Sequence, residues 1–131
     1  MGEINTLSSN IIVLLTDFGN FDGTVSELKG VIYSVDNNLK ISDLTHEIAP
    51  FNILEAAYRL YQVAMYWPKG TIFVSVVDPG VGTSRKSIIL KSKTGHYFIS
   101  PDNGTLSFID AFLSIEEVRQ IDEEKICCLM L

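Results

Sequence analysis

The order of apolar runs along the chain predicts an α/β domain with a largely parallel sheet and flanking helices. Three observations carry that expectation. Residues 11–15 (IIVLL) are continuously apolar, as suits a strand buried on both faces. Strand-type and helix-type patterns then alternate as far as residue 77, which implies right-handed crossovers between parallel strands. Both long helical patterns open on residues that favour helix starts.

Residues 1–10 form a polar lead-in before the first strand, and residues 11–131 are read as one incomplete α/β domain. TDFGNFDG after the first strand is a loop by composition. Val25, Leu28, Val31, Ile32 and Val35 recur at helical spacing, and Thr24 followed by Glu27 has the form of a capping box. Asp36-Asn37-Asn38 ends that helix, and residues 40–44 make a second strand. Asn52 with Glu55 marks the next helix start, with Ile53, Ala56, Ala57, Leu60, Val63 and Ala64 as its buried stripe. Residues 71–77 (TIFVSVV) are strongly β-prone, and 78–83 is a Gly/Pro loop. Residues 87–91 and 97–100 flank Thr94-Gly95 as a hairpin. PDNG at 101–104 is a turn, a short helix follows over roughly 106–113, and 117–121 is a last strand. The apolar end, ICCLML at 126–131, reads as a buried final strand or as the ragged end of a truncated protein.

With 131 residues, 47% hydrophobic and 20% charged, the chain has the composition of one soluble globular domain. A net charge of −6 argues against nucleic-acid binding, which needs a basic face. The start MGEINTLSSN has neither the basic nor the apolar segment of a secretory signal, and the 11–15 run is too short to span a membrane. Cys127 and Cys128 are adjacent and have no other cysteine to pair with, so a reducing, cytoplasmic setting is expected.

In parallel sheets ligands bind beyond the carboxyl ends of the strands. That directs attention to the loops at 16–24 and 78–85. Asp17 directly follows a buried strand and is placed to accept hydrogen bonds from a vicinal diol such as a ribose. Asp22, at a helix N-terminus, suits an ammonium group. Taken alone, Asp22 and Thr24 read first as cap and turn residues. In VVDPGVGTSR, Asp78 ends a strand and Arg85 begins the next, so the pair either fastens the loop or forms part of a site. No Gly-Lys-Ser/Thr follows, so this is not a phosphate-binding P-loop. Phe51 is either core or a ring on which a flat base stacks. His46 reads as a structural hydrogen-bonder, His96 as an exposed turn residue, and Asp102 and Asn103 as plain turn residues. No Ser-His-Asp arrangement is legible, and the two histidines lack metal-ligand spacing.

The strings LTDFGNFDGTVSELKGVI, SDLTHEIAPFNILEAA, GTIFVSVVDPGVGTSRKSI and SPDNGTLS together resemble the S-adenosylmethionine hydroxide adenosyltransferase family, whose relatives include the fluorinases and chlorinases. The match runs from about Ile11 to Leu106, and the C-terminal stretch matches poorly or not at all. The resemblance implies a Rossmann-like N-terminal domain followed by a β-barrel domain, which is absent from this chain. It also implies a homotrimer with the ligand between subunits, and cleavage of S-adenosylmethionine by water into adenosine and methionine. S-adenosylmethionine is then substrate, with no metal or cofactor. Carried over by position, Asp17 binds the ribose hydroxyls, Asp22 and Thr24 hold the methionine end, and Phe51 packs near the sugar and sulfonium. Asp78 and Arg85 are two members of an Asp–Arg–His water-activating set, whose histidine in the family lies beyond position 131. Fluorinases resemble this loop with Tyr and Thr where Asp78 and Val81 stand here, which favours water over halide. With the histidine and barrel missing, the chain by itself is expected to release little or no adenosine. The alternatives are a non-catalytic nucleoside-binding fragment and, third, a halide-using relative.

Overall fold

A computed structural model describes residues 9–77 and 86–121. The elements are β1 (Ile11–Thr16), α1 (Thr24–Val35), β2 (Lys40–Thr45), α2 (Ile53–Ala64), β3 (Ile72–Val76), β4 (Ser87–Ser92), β5 (Tyr97–Pro101), α3 (Ser107–Leu113) and β6 (Ile115–Gln120). The strands form one six-stranded sheet in the order β2-β1-β3-β5-β4-β6. β1 pairs parallel with β2 and β3, and β3 pairs parallel with β5; β4 runs antiparallel to both β5 and β6. The architecture is therefore the α/β, mostly parallel one that the alternating pattern predicts, and no barrel occurs among the described residues.

The apolar strands build the core because register brings their side chains into rows. Val13, Phe73, Phe98 and Leu90 are successive cross-strand neighbours on one face. All four are buried, and the Phe73 and Phe98 rings stack at 5.1 Å. Leu60 and Ala64 of α2 and Ile109 and Leu113 of α3 cover this row. A smaller cluster of Leu15, Ile48, Ala56 and Val77 continues it towards the carboxyl ends of the strands. The predicted α2 stripe is thus the one that packs, and Asn52 caps the helix by accepting the Glu55 backbone N–H at 3.0 Å. The Glu55 carboxylate returns the interaction to the Ala49 N–H at 3.0 Å.

α1 departs from expectation in two respects. It begins at Thr24, but Gly23 is the N-cap residue and has no side chain to cap with, and the Glu27 N–H goes to the Gly23 carbonyl, so the Thr24–Glu27 box does not form. Of its apolar stripe only Val25 is buried, while Val31 and Val35 are exposed. α1 lies across the opposite face of the sheet from α2. Its Lys29 reaches Asp43 of β2, whose register partner Leu14 points away from Val13. No helix among the described residues is long and apolar enough to cross a membrane.

Candidate functional site at the carboxyl ends of β1 and β2

β1 has β2 on one side and β3 on the other, so the crossovers leave it in opposite directions, and its carboxyl end is the position where ligands bind in such sheets. Asp17 stands there, one residue past the strand. Its Oδ2 accepts the backbone N–H of Phe51 at 2.9 Å. Phe51 lies in the left-handed region, with φ of 63°, and its side chain is 60% exposed. Two parts of the sequence 34 positions apart thus meet through a carboxylate and an amide, and an open aromatic ring stands beside them. The other Asp17 oxygen has no hydrogen-bond partner among the described residues and can accept from a ligand hydroxyl.

The loop that follows is shaped locally. Gly19 takes φ of 76°, which a side chain would resist. Asp22 is exposed, and its Oδ1 accepts the Thr24 N–H at 3.0 Å. The backbone and hydroxyl of Thr24 hold the Asp22 carboxyl below its ordinary range, so it stays ionised at neutral pH. Asp22 therefore does form the turn contact expected of an Asp before a helix, while its remaining lone pairs face solvent. Asp17, Asp22, Thr24 and Phe51 all gather around this one loop. Asp78 and Arg85 lie outside the described residues.

Sequence reasoning missed two features. Asn103 is more than a turn residue: its Nδ2 donates to the carbonyl of Val77 at 2.8 Å, and its Oδ1 accepts from Thr105 N and Oγ1 at 3.0 and 2.6 Å. It clamps the end of β3 where the second loop departs. The other is a hydrogen-bonded chain that runs from buried Thr16 and His46 out to partly exposed Asp43 and Lys29. Thr16 Oγ1 lies 2.7 Å from His46 Nδ1, His46 Nε2 lies 2.6 Å from Asp43 Oδ1, and Lys29 Nζ lies 2.8 Å from Asp43 Oδ2. Partial burial by itself would raise the Asp43 carboxyl. Hydrogen bonds from Lys29 and His46, with the charge of Lys29, outweigh it and hold the group below its ordinary range. Asp43 and His46 stand three apart at the end of a strand, which was the visible signal; Thr16, 30 positions away from His46, was not.

His96 corrects an expectation. It is buried, at 3% exposure, with Nδ1 2.8 Å from Thr94 Oγ1 and Nε2 2.8 Å from the Trp67 carbonyl. The tight Ser92–His96 turn folds the ring inward instead of presenting it to solvent. A hollow of about 200 Å³ beside the 101–104 turn is lined by Ile88, Asn103, Leu106, Asp110 and Val118 among others, and by none of Asp17, Asp22, Thr24 or Phe51.

Comparison with known proteins agrees with the motifs. The family model described as the SAM hydroxide adenosyltransferase N-terminal domain matches residues 12–129. The match thus extends through the C-terminal stretch that the motif strings leave out. An (R)-S-adenosyl-L-methionine hydrolase from Methanocaldococcus jannaschii is 42% identical over 120 residues, which is 88% of this chain and 45% of that protein. A fluorinase from Actinopolyspora mzabensis is 24% identical, over 80% of this chain and 42% of its own length. A crystal structure of an uncharacterized conserved protein from Thermotoga maritima superposes with a TM-score of 0.84 at 40% identity, covering 87% of this chain and 43% of that one. The chain spans less than half the length of each of these relatives.

Proposed function

The chain belongs to the S-adenosylmethionine hydroxide adenosyltransferase family, and we propose that the protein it represents hydrolyses S-adenosylmethionine to adenosine and methionine. The observation that carries this reading is Asp17, held by the Phe51 amide at the carboxyl end of β1 beside an exposed aromatic ring. The free Asp17 oxygen takes the ribose hydroxyls, and the Phe51 ring packs against the sugar and sulfonium region. Asp22, kept ionised by Thr24, balances the ammonium of the methionine end.

The reaction needs little from the protein beyond alignment. A sulfonium is a cationic leaving group, so the ribose methylene attached to it is already electrophilic. Water oxygen bonds to that carbon as the C–S bond breaks, the electron pair leaves with sulfur as neutral methionine, and a proton is lost from the water. On this reading Asp78 orients the water and takes its proton. Arg85, which stays charged, fixes Asp78 and stabilises hydroxide character. S-adenosylmethionine is the substrate, no metal or further cofactor enters the reaction, and a homotrimer in the cytoplasm is the setting the family resemblance favours. Asp78 and Val81, and the higher identity to the hydrolase, favour water over halide as the nucleophile.

Binding and chemistry are tested separately. Equilibrium dialysis with adenosine should show binding that Asp17→Ala weakens by about 1.5–3 kcal/mol, the value of a hydrogen-bonded carboxylate; unchanged affinity removes Asp17 from the site. In ¹⁸O-water, any adenosine formed from S-adenosylmethionine should carry the label in its 5′-hydroxyl, and a 5′-halogenated nucleoside formed in halide buffer would overturn the hydrolase reading.

A further inference from the structure

The Thr16–His46–Asp43–Lys29 chain has a direction that can be worked out group by group. Asp43 is ionised and can only accept, so His46 Nε2 and Lys29 Nζ both donate to it. With its proton on Nε2, a neutral His46 must accept at Nδ1. Thr16 Oγ1–H supplies that bond, and the same oxygen accepts the Phe18 N–H at 3.2 Å. Every hydrogen bond in the chain then pairs one donor with one acceptor in a consistent sense. Thr16 is fully buried and His46 is 3% exposed, so water cannot substitute for a missing partner.

All of these bonds converge on one residue. The His46 side chain holds Thr16, directly before Asp17, and through Thr16 the amide of Phe18, directly after it. The His46 carbonyl accepts the Gly19 N–H at 2.7 Å. Glu47, next to His46, accepts Asn20 Nδ2 at 2.9 Å. Register explains how His46 comes to stand there. β1 and β2 pair Leu14 with Asp43 but Leu15 with Thr45, so β2 contributes one extra residue and brings His46 alongside Thr16.

We propose that His46 is a positioning residue for nucleoside binding: it fixes the orientation of the Asp17 carboxylate by holding the backbone on both sides of it. The inference rests on Asp17 being the ribose-binding group, and it assigns no catalytic role to His46. It requires the Nε2-protonated tautomer. It also separates the two edges of the imidazole, because the Nδ1 edge faces the loop whereas the Nε2 edge faces only the Asp43–Lys29 pair.

The test uses the full 131-residue chain with adenosine as the probe. Long-range ¹H–¹⁵N spectra of the unliganded protein should show His46 protonated at Nε2; the Nδ1–H tautomer overturns the proposal whether or not adenosine binds. His46→Gln, which keeps a donor towards Asp43 but loses the acceptor towards Thr16, should raise the adenosine Kd about tenfold and speed exchange of the Phe18 and Phe51 amides. His46→Asn, which restores an acceptor near Nδ1, should recover most of that loss. His96→Gln is the control for general destabilisation and should leave the Kd unchanged. If Asp17→Ala weakens binding and His46→Gln does not, the positioning role is overturned and the ribose assignment survives. If neither variant alters binding, the ribose assignment falls and takes the positioning role with it.

Discussion

The two ends of the sheet each hold a buried histidine, and the two are used differently. Both rings are 3% exposed and both have two hydrogen-bonded nitrogens. His96 sits at the amino end of the parallel strands, between the Thr94 hydroxyl and the Trp67 carbonyl. Its partners belong to tight turns, and its ring packs 6.1 Å from that of Phe73. His46 sits at the carboxyl end, between a hydroxyl and a carboxylate that continues to a partly exposed lysine. One histidine closes a turn, and the other organises a loop that carries an ionisable group. Equal burial and equal hydrogen-bond satisfaction therefore say little about role; what the partners are attached to says more.

The comparison can be broken or sharpened by substitution. The largest effect is expected from Phe73→Ala, which removes the ring stacked on Phe98 in the row between the two ends. It should cost about 3–5 kcal/mol in urea denaturation and weaken both ends together. His96→Ala should cost about 1–3 kcal/mol, because the Trp67 carbonyl loses a buried partner, with adenosine affinity unaltered once stability is allowed for. A change in affinity there would mean that the two ends are coupled. The smallest effect is the pH response of Asp43. Its folded-state pKa lies below the ordinary carboxylate value, so its contribution to stability is present above the ordinary value and is lost as pH falls through the lowered one. Because the side chain is 40% exposed, the contribution is below about 1 kcal/mol. Lys29→Met should move the loss to higher pH in acid titrations followed by circular dichroism, and an unmoved transition would show the Lys29 pair to be idle.

Much of the fold was legible because its determinants are local. The apolar run of β1, the alternating strands of the hairpin and the Asn52–Glu55 cap each declare themselves within a few residues. The parts that were not legible depend on distance. Whether the α1 stripe is buried depends on what covers that face of the sheet, and Val31 and Val35 are exposed despite helical spacing. The Thr24–Glu27 spacing did not become a cap because Asp22 takes the Thr24 amide first. Asp17, Asp22, Thr24 and Phe51 were singled out from loop composition and motif resemblance, and the fold brings Phe51 to Asp17 beside the loop that carries the other two. His46 was read as a structural hydrogen-bonder and is one, but its partner Thr16 escaped, because it was read as the first residue of the loop and lies 30 positions away. Asn103 escaped because a turn explained it well enough without the Val77 carbonyl.

The backbone of Phe51 has a consequence for how the site responds to its occupant. An aromatic residue at φ of 63° costs of order 1–3 kcal/mol, and the Asp17 carboxylate helps to hold it there. Ligand hydroxyls reaching Asp17 draw on the same carboxylate. If Asp17 binds the ribose, the carboxylate that meets the ligand is the one that holds residue 51 against its strain, so Asp17→Ala should loosen the start of α2 as well as the ligand.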